Sequence, residues 1–152
     1  MKKIKLTKGK WAIVDDADFE HLNQYKWHFD RYAQRSIREN GKQKHWRMHW
    51  SVIGRPQKGF EVDHVNGNKL DNRKENLRVV IHSENQRNKG KSKNNTSGFK
   101  GVNWNKKAGR WIALIKINKN KLYLGSFLDK KLAYQAYCNA CAKYHGEFAR
   151  LK

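Results

Sequence analysis

The sequence predicts an α+β fold in two parts, each of which packs strands against a helix. Residues 60–88 predict the order strand, loop, strand, helix, because short apolar segments flank a run of Asn, Asp and Gly that is typical of turns. Residues 98–146 predict a three-stranded antiparallel sheet followed by a longer helix. The segment between them, KGKSKNNTS, contains no apolar residue and has the composition of a linker. We therefore predict domains at 1–90 and 96–152, joined by a basic linker at 91–95.

The first fifty residues are predicted to form the scaffold of the first domain. Short apolar runs broken by polar turns occur at Trp11–Val14, Trp27–Phe29 and Trp46–Ile53. Residues 15–25 predict one short helix between the first two runs. Its apolar face would carry Phe19, Leu22 and Tyr25.

A polar loop separates the two strands predicted in residues 60–88. Phe60 and Val62 end the first strand, and Leu77, Val79 and Val80 begin the second. The pair Asn66-Gly67 is common in tight turns and marks the loop itself. We predict that the helix starts after Ser83, a good N-cap residue, with Gln86 completing a capping box three residues later.

The second domain is predicted to have its own small core. Its strands are expected at Gly101–Trp104, Arg110–Ile117 and Leu122–Phe127, with a turn at 118–120. Period-two alternation in the middle strand places Trp111, Ala113, Ile115 and Ile117 on one face. The helix would begin after Asp129 and end at Gly146. Its apolar stripe would consist of Ala133, Tyr137, Ala140 and Tyr144.

The charge of the chain indicates a polyanionic partner. Its 152 residues include 34 Lys and Arg against 13 Asp and Glu, which gives a formal net charge of +21. From Asn85 to Leu128 there are eleven basic residues and no acidic one. Nucleic acid is the commonest partner of such a chain. An anionic membrane is the competing partner, but the sequence has neither a basic amphipathic helix nor an apolar anchor.

Four polar residues between the predicted strands and helix carry candidate chemistry. Phosphodiester hydrolysis needs an activated water and charge stabilisation, which a His and a hard divalent ion can supply. Asp63 and His64 put a candidate ligand beside a candidate base, and Asn85 offers a further oxygen in the next helix. Asn76 is placed to close the loop by bonding backbone groups. Taken singly, each is more often a turn or solvated residue, whereas their order and spacing together favour a site.

The segment EVDHVNGNKLDNRKENLRVV, followed by HSENQRN, resembles the HNH endonucleases of the phage and intron-encoded homing type. In that family two antiparallel strands and a helix hold one metal ion. The resemblance implies a general base at His64, metal ligands at Asp63 and Asn85, and a loop-holding residue at Asn76. Because the implied ligands are hard oxygens, we expect Mg²⁺ or Mn²⁺ as the cofactor.

The resemblance extends over residues 1–90 and is strongest across 61–88. Upstream of the motif, the segment RMHWSVIGRP also resembles the family. Trp50 departs from the Arg expected at its place, and this leaves the role of His49 open.

Residues 96–150 resemble the plant ethylene-response-factor DNA-binding domain, whose three-stranded sheet enters the major groove with a helix packed behind it. By motif position, the resemblance implies DNA contacts at Lys100, Arg110, Lys116, Lys121, Tyr123 and Ser126. The plant target sequence is not carried over, because the pattern departs at Asn103, Asn105 and Leu114. Cys138, Cys141 and His145 can reach one side of the helix, but three ligands without a fourth make a poor zinc site.

These features together predict a metal-dependent endonuclease that nicks one strand of double-stranded DNA at a preferred site. The rival hypothesis is a non-catalytic DNA-binding regulator with a vestigial nuclease fold, and RNA binding is a second rival that the charge permits. The basic N-terminus lacks the apolar core of a signal peptide, and no apolar run has the length of a bilayer span. We expect a monomer in the cytoplasm of a bacterial or phage-infected cell, with no membrane and no obligate protein partner.

Overall fold

The computed structural model describes residues 1–117, 120–149 and 151. The chain divides into two compact units, Met1–His82 and Ser83–Lys152. The division falls ahead of the boundary expected near residue 90, so the helix that follows the polar loop belongs to the second unit. Within that unit the Lys100 ammonium donates a hydrogen bond to the Arg87 carbonyl oxygen at 2.8 Å, which ties this helix to the residues after the expected linker.

The first unit opens with two antiparallel sheets and two short helices. Strands β1 (Lys2–Lys5) and β2 (Trp11–Val14) pair with each other, and helix α1 (Asp16–Asn23) follows. Strands β3 (His28–Asp30), β4 (Tyr32–Glu39) and β5 (Lys42–Arg47) form the second sheet in chain order, before helix α2 (Met48–Ile53). Their core contains the buried side chains of Ile4, Leu6, Ala12, Val14, Leu22, Trp27, Ala33 and Met48.

The expected scaffold is present, but the residues at which its helices and strands begin and end were not predicted from the sequence. Leu22 is fully buried in α1 and Phe19 packs against the same core, which confirms these two residues of the predicted helical face. Tyr25 also packs there but follows the helix, which ends at Asn23. Trp27 precedes β3 and donates its indole N–H to the Leu22 carbonyl oxygen at 2.8 Å. The apolar run at 46–53 divides between the end of β5 and α2.

The polar loop lies between strands β6 (Phe60–His64) and β7 (Leu77–Ile81), which form an antiparallel pair. A single 3₁₀ turn at Lys74–Asn76 leads into β7. Helix α3 (His82–Asn88) begins directly where β7 ends, so the predicted N-cap at Ser83 is wrong. Ile81 still pairs with Phe60 in the sheet, and this leaves no extended residue at position 83 to act as a cap.

The second unit contains the predicted three strands and longer helix. Strands β8 (Val102–Asn105), β9 (Arg110–Ile117) and β10 (Asn120–Phe127) form an antiparallel sheet with β9 in the centre. The predicted turn at 118–120 falls partly on Asn118 and Lys119, which lie outside the described residues. Helix α4 (Lys130–His145) starts after Asp129, whose side chain accepts hydrogen bonds from two backbone N–H groups, and it ends at Gly146. No helix in the described part of the chain is long and apolar enough to cross a membrane.

Helix α4 packs its small apolar residues against one face of the sheet. Ala113 and Ile115 of β9 are buried against it, together with Tyr137 and Cys141 of the helix. The predicted apolar stripe of α4 is wrong at its last residue. Tyr144 is 39% exposed, and the neighbouring His145 is buried instead. The His145 ring faces the sheet, with its Nε2 3.1 Å from the Lys116 carbonyl oxygen.

Gly101 is required where the chain enters β8. Its φ of +76° is a conformation that residues with a side chain rarely adopt. A Cβ atom at this position would lie 2.0 Å from the Tyr137 ring. The backbone therefore approaches α4 more closely than any other residue type would allow.

Candidate active site

Asp63 lies near the end of β6 and is 4% exposed. The antiparallel register places it opposite Arg78 of β7. Both Nε and a terminal nitrogen of Arg78 lie 3.0 Å from Asp63 Oδ2. A buried carboxylate is tolerated when a cation compensates it, so the strand pairing explains why an acidic side chain is stable here.

Asn76 holds the loop between β6 and β7 closed. It is buried, its Oδ1 accepts a hydrogen bond from the Asn66 backbone N–H at 2.9 Å, and its Nδ2 donates to the Asp71 carbonyl oxygen at 2.8 Å. These are backbone contacts of the kind expected from the sequence. Any part that Asn76 takes in catalysis stays a prediction.

A second set of contacts fixes the same loop through Asp71. Its carboxylate receives two hydrogen bonds of 2.8 Å from the Arg73 guanidinium and one of 2.8 Å from the Asn66 side chain. The Arg73 hydrogen bonds hold the pKa of Asp71 below its usual value. The loop is also attached to β2, since the Ile13 N–H donates to the Leu70 carbonyl oxygen at 2.7 Å. The long polar loop is therefore rigidly anchored on both sides.

His64 ends β6 beside Asp63 and is 4% exposed. Burial lowers its pKa, and Lys69 acts in the same direction, while Asn72 and the Asp63 and Asp71 carboxylates act to raise it. Because these effects together leave the pKa of His64 below the usual value for a histidine, the imidazole is neutral at pH 7. A neutral imidazole can accept a proton, which is the property that a general base needs.

Two aromatic residues from elsewhere in the first unit position the His64 ring. The His49 ring meets it edge to face at 5.2 Å between centroids, and the Tyr32 ring lies at 6.1 Å. His49 is 1% exposed, and burial, with further effects of His64 and Arg47, lowers its pKa to about 3. Its Nδ1 has no hydrogen-bond partner among the described residues. His49, whose role the sequence left open, is thus a neutral residue that packs against His64.

Asn85 lies in α3, in the second unit. Carboxylate and amide oxygens are donors that suit Mg²⁺ or Mn²⁺, and the assignment of Asp63 and Asn85 as metal ligands stays a prediction. A carboxylate has several lone-pair positions, so the contact of Arg78 with Asp63 Oδ2 is compatible with this role. Clusters of three or more His, Cys, Asp and Glu side chains able to hold a metal do not occur among the described residues.

The sheet of the second unit brings five predicted DNA-contacting residues to one face. Because Ala113 and Ile115 face α4, the alternate residues of β9 face away from it. Strand pairing then adds the residues of β10 that lie opposite these positions. The side chains that share this outer face are Arg110, Lys116, Lys121, Tyr123 and Ser126.

A bulge in β10 makes this arrangement possible. Tyr123 and Ser126 are three residues apart, so a regular strand would point them to opposite faces. The register shifts between Tyr123 and Gly125, and Ser126 then pairs with Ile112 while Tyr123 pairs with Leu114. Lys100 is different: it lies in the turn before β8, where its ammonium bonds the Arg87 carbonyl oxygen.

Comparison with known proteins decides the family. A family model for HNH endonucleases matches residues 42–87, from β5 to α3. Protein 3.8 of Escherichia phage T7 is 31% identical over 105 residues, which cover 68% of this chain and 85% of that protein. The chain belongs to the HNH endonuclease family.

A second relative extends the likeness along the chain. An uncharacterised HNH endonuclease of Acanthamoeba polyphaga mimivirus is 27% identical over 144 residues, which cover 93% of this chain and 74% of that protein. No solved structure matches this HNH protein. The family match contains Asp63, His64, Asn76 and Asn85 and ends before β8. The likeness of residues 96–150 to the plant DNA-binding domain, and the homing type, stay predictions.

Several residues of the HNH site were missed from the sequence. Arg78 stands within the motif, but its contact with Asp63 depends on the strand register, which local sequence does not specify. Tyr32 lies in β4, far from the motif along the chain, and carried no local signal. The Asp71-Asn72-Arg73 segment was interpreted only as turn composition, although an Asp two residues before an Arg is a possible ion pair.

Proposed function

We propose that this protein hydrolyses phosphodiester bonds of double-stranded DNA as a metal-dependent HNH endonuclease. The observation that carries the proposal is the buried, neutral His64 beside Asp63 at the end of β6, inside the family match. The strongly basic composition supplies the affinity for a polyanion. Phage and viral relatives support action in the cytoplasm of an infected cell.

In the proposed reaction His64 accepts a proton from water as the water oxygen attacks the phosphorus in line with the leaving oxygen. The new P–O bond forms as the bond to the leaving oxygen breaks. The leaving oxygen takes a proton from solvent water, and the proton on the imidazole is released to solvent. His49 and Tyr32 keep the ring in place, since their contacts restrict its rotation. Asn76 holds the loop that follows His64, so the backbone at the base does not drift.

Asp63 and Asn85 are the residues that would hold the divalent ion. A bound Mg²⁺ or Mn²⁺ would supply positive charge for the phosphate and for the leaving oxygen. Arg78 compensates the Asp63 carboxylate and keeps it oriented between the strands. The chain carries one such set of residues, so we propose that a monomer nicks one strand in each binding event.

The second unit is proposed to read the DNA with the outer face of its sheet. Arg110, Lys116 and Lys121 are exposed on that face, and the side chain of Tyr123 is also exposed there. Phosphate contacts give affinity and contacts with base edges give preference for a site. A site preference follows from this part of the proposal, and the homing type is proposed on the resemblance of residues 61–88.

Incubation of the purified protein with supercoiled plasmid and Mg²⁺ tests the proposal. We expect conversion to the relaxed circle before any linear product, because one centre cuts one strand. Linear DNA as the first product would contradict nicking. Binding without any cleavage, under Mg²⁺ and under Mn²⁺, would favour the non-catalytic regulator instead.

The reading face is tested by replacing Arg110 and Lys116 together by Ala. Each lost phosphate contact should make the slope of log affinity against log salt shallower by about 0.9, while nicking at saturating DNA is retained. The matched control replaces Lys131 and Lys143, two exposed lysines of α4, which packs behind the sheet. Fluorescence anisotropy against salt measures both variants. Equal changes in the two would mean that net charge alone, and not this face, sets the affinity.

A further inference from the structure

In the same unit as His64, the Arg47 guanidinium is held over two aromatic rings. It lies 4.7 Å from the Tyr32 ring centroid and 5.2 Å from the Trp50 ring centroid. Its side chain makes no hydrogen bond or ion pair among the described residues. Stacking on aromatic faces orients the planar guanidinium and leaves its N–H groups, which lie in the plane of the guanidinium, available to a ligand. Arg47 is therefore held in place while the N–H donors of its side chain have no hydrogen-bond partner among the described residues.

Lys69 brings a second cation to the same ring. Its ammonium lies 4.8 Å from the Tyr32 centroid, and Tyr32 in turn contacts the His64 ring at 6.1 Å. Lys69 also has no ion pair with the described residues. Two positive side chains thus converge on the aromatic ring that packs against the proposed base.

Two carboxylates of the first unit already carry ion pairs of their own. Asp71 is paired with Arg73, and Glu39 is paired with Lys44 at 2.5 Å. Neither carboxylate pairs with Arg47 or Lys69, and these two cations make no ion pair within the described part of the first unit. An unneutralised cationic patch with fixed geometry attracts an anion.

Trp50 explains how the patch is built at a position where the family resemblance suggested an Arg. The ring of Trp50 carries Arg47 at 5.2 Å and Arg55 at 5.3 Å. Two neighbouring guanidinium groups thus supply positive charge at the place where the expected Arg is missing. The substitution removes one cation and provides a surface on which two others are stacked.

We infer that Arg47 and Lys69 bind a backbone phosphate of the strand that is cut, close to the scissile phosphate. The centroid distances place the guanidinium within about 11 Å of the His64 ring. Successive nucleotides of one strand advance about 3.4 Å along B-DNA, so the bound phosphate lies within about three nucleotides of the cut. The inference rests on the proposed function, because it takes His64 to mark the point of cleavage.

Binding of this phosphate by Arg47 and Lys69 would increase the affinity for DNA. It would also place the scissile phosphate against His64. A planar guanidinium can hold two phosphate oxygens at once, which fixes the orientation of the backbone. The second unit can bind DNA without controlling which bond reaches His64. Arg47 and Lys69 would control it, because they lie in the same unit as the base.

The test uses the full chain with Arg47→Gln and Lys69→Gln made separately. Arg38→Gln is the matched control: Arg38 is exposed in β4 and lies four register positions along the β4–β5 ribbon from Arg47, about 13 Å at 3.3 Å per residue. Plasmid nicking gives kcat/KM against salt, and anisotropy with a plasmid-sequence duplex in EDTA gives binding against salt. For each test variant we expect the slopes of log kcat/KM and of log binding affinity against log salt to be shallower by about 0.9. For Arg38→Gln we expect both slopes to equal those of the wild type.

Wild-type slopes in both correctly folded test variants would overturn the inference. If Arg47→Gln fails to fold, Lys69→Gln alone decides, because Lys69 lies in the anchored loop and not in a strand. If the wild type binds DNA but never cuts it, the proposed function fails while the binding slopes still decide whether Arg47 and Lys69 contact phosphate. Tighter binding of duplex RNA of the same length, with the same loss of slope, would overturn DNA as the ligand.

Discussion

His64→Ala is expected to slow plasmid nicking by on the order of 10²- to 10⁴-fold at saturating DNA. The imidazole is buried and neutral, and it lies beside Asp63, so its removal takes away the group that we propose accepts the proton of water. DNA affinity in EDTA should stay near that of the wild type, because the basic residues are untouched. The measurements are single-turnover nicking rates and fluorescence anisotropy on the same preparation.

His45→Ala is the matched control for the His64 variant. His45 is exposed in β5, and the ring nearest to it is that of His28 at 5.8 Å between centroids. Circular dichroism shows whether the cavity left by His64 has unfolded the first unit. Added imidazole should restore part of the rate, since the cavity between Tyr32 and His49 can accept it. A folded His64→Ala protein that cuts as fast as its parent would show that the base is another group.

Removal of the divalent ion is expected to abolish cleavage, and Asp63→Asn is expected to lower it by on the order of 10²- to 10³-fold. A catalytic ion contributes several kcal/mol to transition-state stabilisation, and each 1.36 kcal/mol corresponds to about tenfold in rate. Asn keeps the shape of the side chain and an oxygen that can accept a hydrogen bond from Arg78, whereas Ala would remove both. The measurement is nicking in EDTA, followed by titration with Mg²⁺ and with Mn²⁺.

The conserved shape of Asp63→Asn separates chemistry from folding. The variant keeps an oxygen that can accept from Arg78 but removes the compensating charge, so its unfolding transition in urea is measured alongside nicking to separate a loss of stability from the loss of a ligand. A higher requirement for Mg²⁺ with an unchanged transition would indicate a lost ligand. Full activity of the wild type in EDTA would exclude the metal mechanism, whatever the variant does.

Sequence patterns with a short period were sufficient to predict most of the fold. The alternation in 110–117 gave both the limits of β9 and the face that packs on α4, and Asp129 and Gly146 gave the ends of that helix. Prediction failed where packing overrides a local signal. Ser83 is a good N-cap residue in isolation, but β7 is followed directly by α3. In α4, His145 is buried in place of Tyr144 because the His145 side chain faces the sheet.

By itself, the sequence determined the basic charge, the two-part α+β organisation and the motif residues Asp63, His64, Asn76 and Asn85. These depend on residue types and on spacing along the chain, both of which can be read directly. Tertiary structure alone decided that Arg78 compensates Asp63, that burial lowers the pKa of His64, and that Tyr32 contacts both the His64 ring and a pair of cations. The physical reason is that ion pairing, desolvation and stacking depend on distances of a few ångströms between residues that strand register and loop anchoring bring together.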